Sequence, residues 1–233
     1  MAQGSGKLAR GRQSVIMSSK ISSAALFESI KAMREGTKKR NFAQTVELQL
    51  SLKDIDPTKD KRFSGTVRLP HVPRNKLGIC LIGDQKHVDE AKSLGLTIDT
   101  TDLDSLKKFN KDKKLVKKWA KKYDQLLASD TVLKKVPVVV GPILNRIGRF
   151  PQVVSHSEPL DKKIEDIKAT VKWQLKKVTD MGAAVGNMEM TDEQLRQNIM
   201  MALNFLVSLL KKGWHNLKSV NIKSTMGKPA KIL

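Results

Sequence analysis

Two stretches far apart in the chain carry side chains suited to reading a polar, shaped surface. In KKRNFAQTVEL, Phe42 follows the basic run 38–40 and precedes Thr45 and Glu47. In NIKSTMGKPAKIL, at the end, Ser224, Thr225, Met226, Gly227 and Lys228 follow the strand-like Val220 and Ile222. A methionine set among small polar and basic groups lacks the apolar context of a core residue, and the Gly-Lys-Pro after it disfavours a continuing helix or central strand. If residues 219–223 form a strand in the same sheet as residue 45 onward, Phe42, Thr45, Glu47, Thr225, Met226 and Gly227 come together as one patch. Glu47 and Thr225 accept hydrogen bonds from a ribose 2′-hydroxyl, which lysine does not do, and Gly227 admits close backbone approach. Phe42 and Met226 offer flat or adaptable apolar contact with sugars. The bland alternative puts Phe42 in the core, pairs Glu47 with a strand lysine and makes the tail only a turn.

Catalysis finds less support. The sequence offers no nucleophile elbow, no carboxylate pair at helical spacing within an apolar pocket, and no HExxH or CxxC. Its four histidines, His71, His87, His156 and His215, are scattered without metal-ligand spacing. No metal, no cofactor and no enzymatic activity are therefore expected. Cys80, the single cysteine, lies inside the apolar run LGICLIG and reads as a buried structural thiol. Two glycine turns, IGDQKH and VGPILNRIGRF, are read as following buried strands, where a doubly wound sheet places its ligand crevice. Neither matches GxGxxG or GxxxxGK followed by Ser or Thr, so both are expected to be structural, with Arg146 and Arg149 available to a phosphate backbone. A nucleotide-dependent enzyme built on this region is the rival reading. The stretch KKFNKDKKLVKKWAKKYDQLL has Leu115, Trp119, Tyr123 and Leu126 at helical spacing, which makes its lysines at least partly the solvated face of an amphipathic helix.

Charge names the class of partner. Lys and Arg number 44 against 23 Asp and Glu, a formal net charge of +21 that points to a polyanion. A membrane surface would call for a basic amphipathic helix with aromatic anchors or a lipidation motif, and neither is evident. No apolar run is long enough to span a bilayer and no secretory signal is visible, so an intracellular nucleic-acid partner is expected and a membrane is not.

The elements that must position the patch follow from periodicity. Residues 1–16 read as a flexible extension. A helical pattern runs from Ile21 through Leu26, Phe27, Ile30 and Met33 to a stop at Gly36. TVELQLSL alternates, with Val46, Leu48, Leu50 and Leu52 inward, and SGTVRLP returns as a short strand with Val67 and Leu69 inward before Pro70 and Pro73. The style then changes: LGICLIGD and VPVVVGP read as strands buried on both faces, separated by helices, as in a small α/β/α unit. Alternation resumes at Val171, Trp173 and Leu175, with GAAVGNMEM as the paired strand. A long helix opens at Thr191 with Gln194 in capping-box position, carries Leu195, Ile199, Ala202, Leu206 and Leu209 on one face, and stops at Gly213. Two like segments around an unlike middle imply an inserted domain: 17–74 and 161–233 forming domain I, and 75–160 forming domain II.

The segments FAQTVELQLSLKDIDPTKDKRFSGTVRLPH, VVVGPILNRIGRFP and NFLVSLLKKGWHNLKSVNIKSTMGKP resemble the universal large-subunit ribosomal protein L-one family in its eukaryotic cytoplasmic form, from Met17 to the last residues. The resemblance implies an α+β fold with an inserted α/β domain. A split βαβ RNA-binding domain is formed by both chain ends, and the middle is a Rossmann-like three-layer domain. It implies binding to the mobile rRNA stalk of the large subunit beside the exit site, help in moving and releasing deacylated tRNA, contact with other ribosomal components, and a cytoplasmic location with nucleolar passage during assembly. The family's RNA-binding residues fall on Phe42, Glu47, Thr225, Met226 and Gly227, with Thr45, Ser224 and Lys228 beside them. One departure is GPILNRIGRF, where Ile143 and Ile147 add bulk to a loop that is usually rich in glycine and alanine. A nucleolar assembly factor carrying the same domain is the rival within the binding class.

Overall fold

The computed structural model describes residues 21–74, 76–94, 98–109, 112–156 and 158–233, with Arg146 described in its backbone alone. The expected extension 1–16 lies outside the described residues.

In chain order the elements are α1 (Ser23–Glu35), β1 (Thr45–Leu52), β2 (Ser64–Arg68), β3 (Ile79–Ile82), α2 (Gln85–Ser93), β4 (Asp99–Thr100), α3 (Leu103–Lys107), α4 (Lys113–Lys122) and β5 (Gln125–Ser129). They continue with α5 (Asp130–Leu133), α6 (Val136–Val139), α7 (Gly141–Ile147), β6 (Gln152–Val154), α8 (Leu160–Ala169), β7 (Thr170–Gln174), β8 (Asp180–Asn187), α9 (Asp192–Leu209), β9 (Leu217–Ser224) and β10 (Ala230–Lys231).

The fold is mixed α/β. One sheet has the order β10-β9-β1-β8, with β1 antiparallel to both β8 and β9. Strands β8 and β9 therefore run the same way and are joined by α9, so β1 is inserted between the two strands of a βαβ unit. Along β1, alternate residues Val46, Leu48, Leu50 and Leu52 are buried. They join Leu26, Ile30 and Met33 of α1, Leu195, Ile199, Leu203 and Leu206 of α9, and Val220 and Ile222 of β9 in one core. Residues from both halves of the sequence thus share one apolar interior. Helix α9 begins as expected, with the Thr191 hydroxyl accepting from Gln194 and the Gln194 side chain accepting from the Thr191 amide. It ends at Leu209, before Gly213.

A second sheet is parallel, in the order β4-β3-β5-β6. Apolar cores lie on its two faces. One gathers Cys80, Ile82, Leu126 and Ala128 with Val116, Trp119 and Ala120 of α4 and Leu144 of α7. The other gathers Ile79, Leu81 and Leu127 with Ala91 of α2 and Leu160, Ile164 and Ile167 of α8. This is the three-layer arrangement expected for the middle of the chain. Helix α8 packs on the parallel sheet, although residues from 161 onward were expected to pack with the chain ends.

Three expectations of local structure need correction. VPVVVGP is helical, not a strand: α6 and α7 carry Pro137 and Pro142 in their first turns, where a missing N–H is harmless. The central strand is instead β5, which takes Leu126 out of the helix pattern, and Leu115 on α4 is exposed while Val116 is buried. Strand β8 does not pair with β7; β7 pairs with β2 in a separate antiparallel ladder, and β8 pairs with β1. Ile143 and Ile147 are accommodated by packing partly buried against the core, so the departure from a small-residue loop is a helix with an apolar side.

The link from β2 into the parallel unit is held at His71 by two side chains of α9, Gln197 on the imidazole and Asn198 on the backbone. Asn198, fully buried on α9, accepts from the His71 amide at 3.1 Å and donates to the His71 carbonyl at 3.0 Å and the Val185 carbonyl at 2.8 Å. Asn198→Leu leaves these backbone groups without their partner, at about 1–3 kcal/mol for each group that stays buried. Urea unfolding is expected to show a loss of at least about 2 kcal/mol. An unchanged midpoint would remove Asn198 from this role.

Candidate nucleic-acid interface

The two ends of the chain meet where β1 begins and β9 ends. Val46 is opposite Ser224 in the antiparallel register, so the turn after Ser224 lies beside Thr45. The Thr225 hydroxyl accepts from the Thr45 amide at 3.0 Å and donates to the Thr45 carbonyl at 3.2 Å, clasping residues that stand 180 positions apart in sequence. The Gly227 amide donates back to the Ser224 carbonyl at 3.3 Å and closes the turn. Beneath it, Ser224 is fully buried, its hydroxyl 2.9 Å from that of Thr37, which donates at 2.6 Å to the Met33 carbonyl at the end of α1. A Cβ on Gly227 would run into the Ser224 and Thr37 hydroxyls, so the glycine is required by space.

Above this support the patch is open. Phe42 is 52% exposed, which rules out the core alternative for it, and Met226 is 63% exposed. Thr225 and Lys228 are exposed, and Thr45 and Glu47 are half-buried on the face of β1 opposite the core. Across the same face Glu47 stands opposite Lys223 and Gln49 opposite Asn221. Among the described residues Glu47 has no ion pair, so its carboxylate keeps its acceptor capacity. Lys38, Lys39, Arg40 and Phe42 line a cleft of about 610 Å³ with Arg34, Gln44 and Glu189, which places cations along one border of the patch.

Of the expected residues, Thr45, Glu47, Thr225, Met226, Gly227 and Lys228 lie at one end of the sheet, with Phe42 three residues before Thr45 on the cleft lined by Lys38, Lys39 and Arg40. Ser224 lies behind them, where it holds the turn and has no surface to offer. Thr37 was missed. Its only sequence signal is a hydroxyl placed directly after the helix stop at Gly36, and the partner that gives it meaning is at the other end of the chain.

The parallel sheet presents a different picture. Gly83 and Asp84 follow β3 as expected, at the carboxyl ends of β3 and β5 where the strand order reverses. Protein side chains fill that point. The Asp84 amide donates to the Ser129 hydroxyl at 3.2 Å, Thr131 donates to the Asp84 carboxylate, and His87 Nδ1 lies 2.6 Å from the Ser129 hydroxyl. His87 is stacked on His156 with ring centroids 4.1 Å apart. The carboxylate of Asp84 at the start of α2 repels a phosphate there. VGPILNRIGRF follows no strand, and Arg149 is committed, donating to the Ala120 and Tyr123 carbonyls at the end of α4. The side chain of Arg146 is not described. Cys80 is buried beside Thr101, and burial pushes its thiol up to about 11.

The sheet end thus combines hydrogen-bond acceptors, exposed apolar side chains and bordering cations in a chain of net charge +21, while Asp84, His87 and Ser129 fill the switch point of the parallel sheet. The chain belongs to the ribosomal protein L1p/L10e family, whose model matches residues 31–228. It is 53% identical over 218 residues to the large ribosomal subunit protein uL1 of Spodoptera frugiperda, covering 93% of this chain and all of that protein. It is 55% identical over 216 residues to uL1z of Arabidopsis thaliana and 54% identical over 216 residues to uL1 of Oryza sativa subsp. japonica, in each case over 92% of this chain and 99% of the relative. Proteins of this family are structural rather than catalytic.

Gly227→Ala displaces the buried Ser224–Thr37 pair and is expected to lower stability by about 1–3 kcal/mol in urea unfolding. Thr225→Val loses bonds that lie at the surface and is expected to lower it by no more than about 1 kcal/mol; the reverse ranking would overturn the account of the turn. Burial, and then the neighbouring His156, hold the His87 pKa below its ordinary value. The unfolded chain therefore takes up this proton first as pH falls below about 6.5. The stability contributed is present above that pH and lost on acidification toward the folded pKa. The thermal midpoint is expected to fall less steeply between about pH 7.5 and 5.5 in His87→Asn than in the parent chain.

Proposed function

We propose that this chain is a structural constituent of the large ribosomal subunit that binds the mobile rRNA stalk beside the tRNA exit site and assists movement and release of deacylated tRNA. The observation that carries the reading is the clasp of Thr225 on Thr45, which presents Phe42, Glu47, Met226 and Gly227 as one surface with acceptors, apolar contacts and close backbone together. Glu47 and Thr225 take hydrogen bonds from 2′-hydroxyls, Phe42 and Met226 lie against sugars, and Gly227 lets the backbone approach. Lys38, Lys39, Arg40 and Lys228 supply phosphate attraction.

In this reading the chain is two domains. The ends form the stalk-binding domain and the middle forms a second body, attached at about 70–76 and at a return crossing. The expected return near 161 is better placed after Ala169, because α8 packs on the parallel sheet. The anchored protein travels with the stalk, and the second body meets exit-site tRNA transiently. The working location is the cytoplasmic ribosome, reached through the nucleolus during assembly.

Binding to the stalk rRNA fragment in competition with unrelated double-stranded RNA, titrated across salt, tests the proposal. The stalk fragment is expected to keep its preference at high salt, where phosphate attraction has faded. Met226→Asp is expected to lower stalk affinity about tenfold, equivalent to about 1.4 kcal/mol, with the thermal midpoint unchanged. Equal and parallel weakening of both RNAs would reduce the chain to a generic polycation and overturn the assignment of the patch.

A further inference from the structure

The end of β1 away from the patch opens onto a separate cavity. It has a volume of about 550 Å³ and is bounded by the 54–64 loop, the end of β7 at Leu175, the end of α9 at Leu209 and Leu210, and Asn216. Buried Leu175 and Leu210 and half-buried Ile55, Phe63 and Leu209 give it an apolar floor beneath a polar rim. The size falls in the range of pockets that enclose a ligand group, roughly 300–1,000 Å³.

Its wall is held in place before anything binds. The Asp56 carboxylate accepts from the Thr58 amide at 3.0 Å and hydroxyl at 2.6 Å, and the Asp60 carboxylate accepts from the Asp56 amide at 3.0 Å. Lys211 bridges from the end of α9 to Asp60 at 3.0 Å. Asn216, nearly fully buried, donates to the Lys53 carbonyl at 3.1 Å and accepts from the Lys212 amide at 2.8 Å, joining the strand end to the helix end. A cavity with a fixed wall loses little entropy when it takes a ligand.

The charges on the rim select among ligands. Lys211 compensates Asp60, which leaves the exposed cations Lys61, Arg62 and Lys212 facing one carboxylate, Asp54, that has no ion pair among the described residues. An RNA satisfies the cations and lays sugars or base faces on apolar surface, but it carries no flexible apolar side chain to enter a cavity. An acidic polypeptide brings both parts: carboxylates for the rim and a bulky apolar side chain for the cavity. We propose that this cavity is a docking site for an acidic segment of a partner protein, anchored by a phenylalanine or leucine side chain. The eight residues of β1 separate it from Thr45 by about 23 Å at 3.3 Å per residue, so it is distinct from the patch and does not depend on the stalk reading.

Fluorescence anisotropy on the full chain tests this with two short Asp/Glu-rich peptides of equal charge, one with a central Phe-Leu pair and one with Ala-Ala. The anchored peptide is expected to bind about tenfold more tightly, the worth of roughly one buried apolar side chain, and to keep that advantage at raised salt. An excess of the stalk rRNA fragment is expected to leave it bound. Ser64→Trp, at the exposed lip of the cavity, is expected to abolish the difference between the peptides with the thermal midpoint unchanged. Equal binding of the two peptides, or displacement of the anchored peptide by the RNA, would show acidic chains acting as generic polyanions and overturn the proposal. The comparison between peptides on the parent chain stands whether or not the variant folds.

Discussion

The pairing of β9 with β1 is the constraint on which the rest of the structure depends. It places Val46 opposite Ser224 and Leu48 opposite Ile222, so the last strand of the chain delivers Val220 and Ile222 to the core begun by α1 and β1. The same register sets Thr225 against Thr45 and Glu47 opposite Lys223. A slip of one residue would turn Val220 and Ile222 to solvent and separate the Thr225 hydroxyl from the Thr45 backbone. Core and surface patch are therefore specified by one register. The long intervening chain adds only slowly to the entropy of closing that pair, because loop closure grows with the logarithm of length.

This dependence explains how much of the site was legible. That Thr45 and Thr225 meet was legible because alternation in two strands predicts one sheet, and a shared sheet brings Phe42, Thr45 and Glu47 toward Thr225, Met226 and Gly227. Ser224 enters the expected set only through the family resemblance, and sequence does not distinguish a hydroxyl that faces a ligand from one that faces another hydroxyl. Thr37, its partner, had no periodic context of its own. The large apolar face of α9 and its capping box were plain, since both are local patterns with the period of the element they belong to.

The middle of the chain was harder for physical reasons. An apolar run of four to eight residues reads equally as a buried strand or a buried helical segment. Pro137 and Pro142 were the available discriminators, because a central strand has no place for a residue without an N–H, whereas the first turn of a helix does. Strand β5 was hidden for the opposite reason: Tyr123 and Leu126 continue the spacing of α4, although α4 ends at Lys122. The β7–β8 neighbourhood misled because sequential strands usually pair, while here β1 is inserted beside β8 and β2 pairs with β7.

Charge and geometry then divide the work of recognition. The excess of lysine and arginine attracts any polyanion and weakens with salt, so it sets how strongly the chain associates without deciding with what. Discrimination requires acceptors and shaped contacts whose positions are fixed before binding, because a group that must first be ordered loses much of its advantage to entropy. The Ser224–Thr37 hydroxyl pair, the absence of room at Gly227 and the double bond of Thr225 to the Thr45 backbone supply that fixation. Under the proposed reading, a substitution among the surface lysines therefore acts mainly on association common to all polyanions, whereas a change beneath the turn shifts Thr225, Met226 and Gly227 against Thr45.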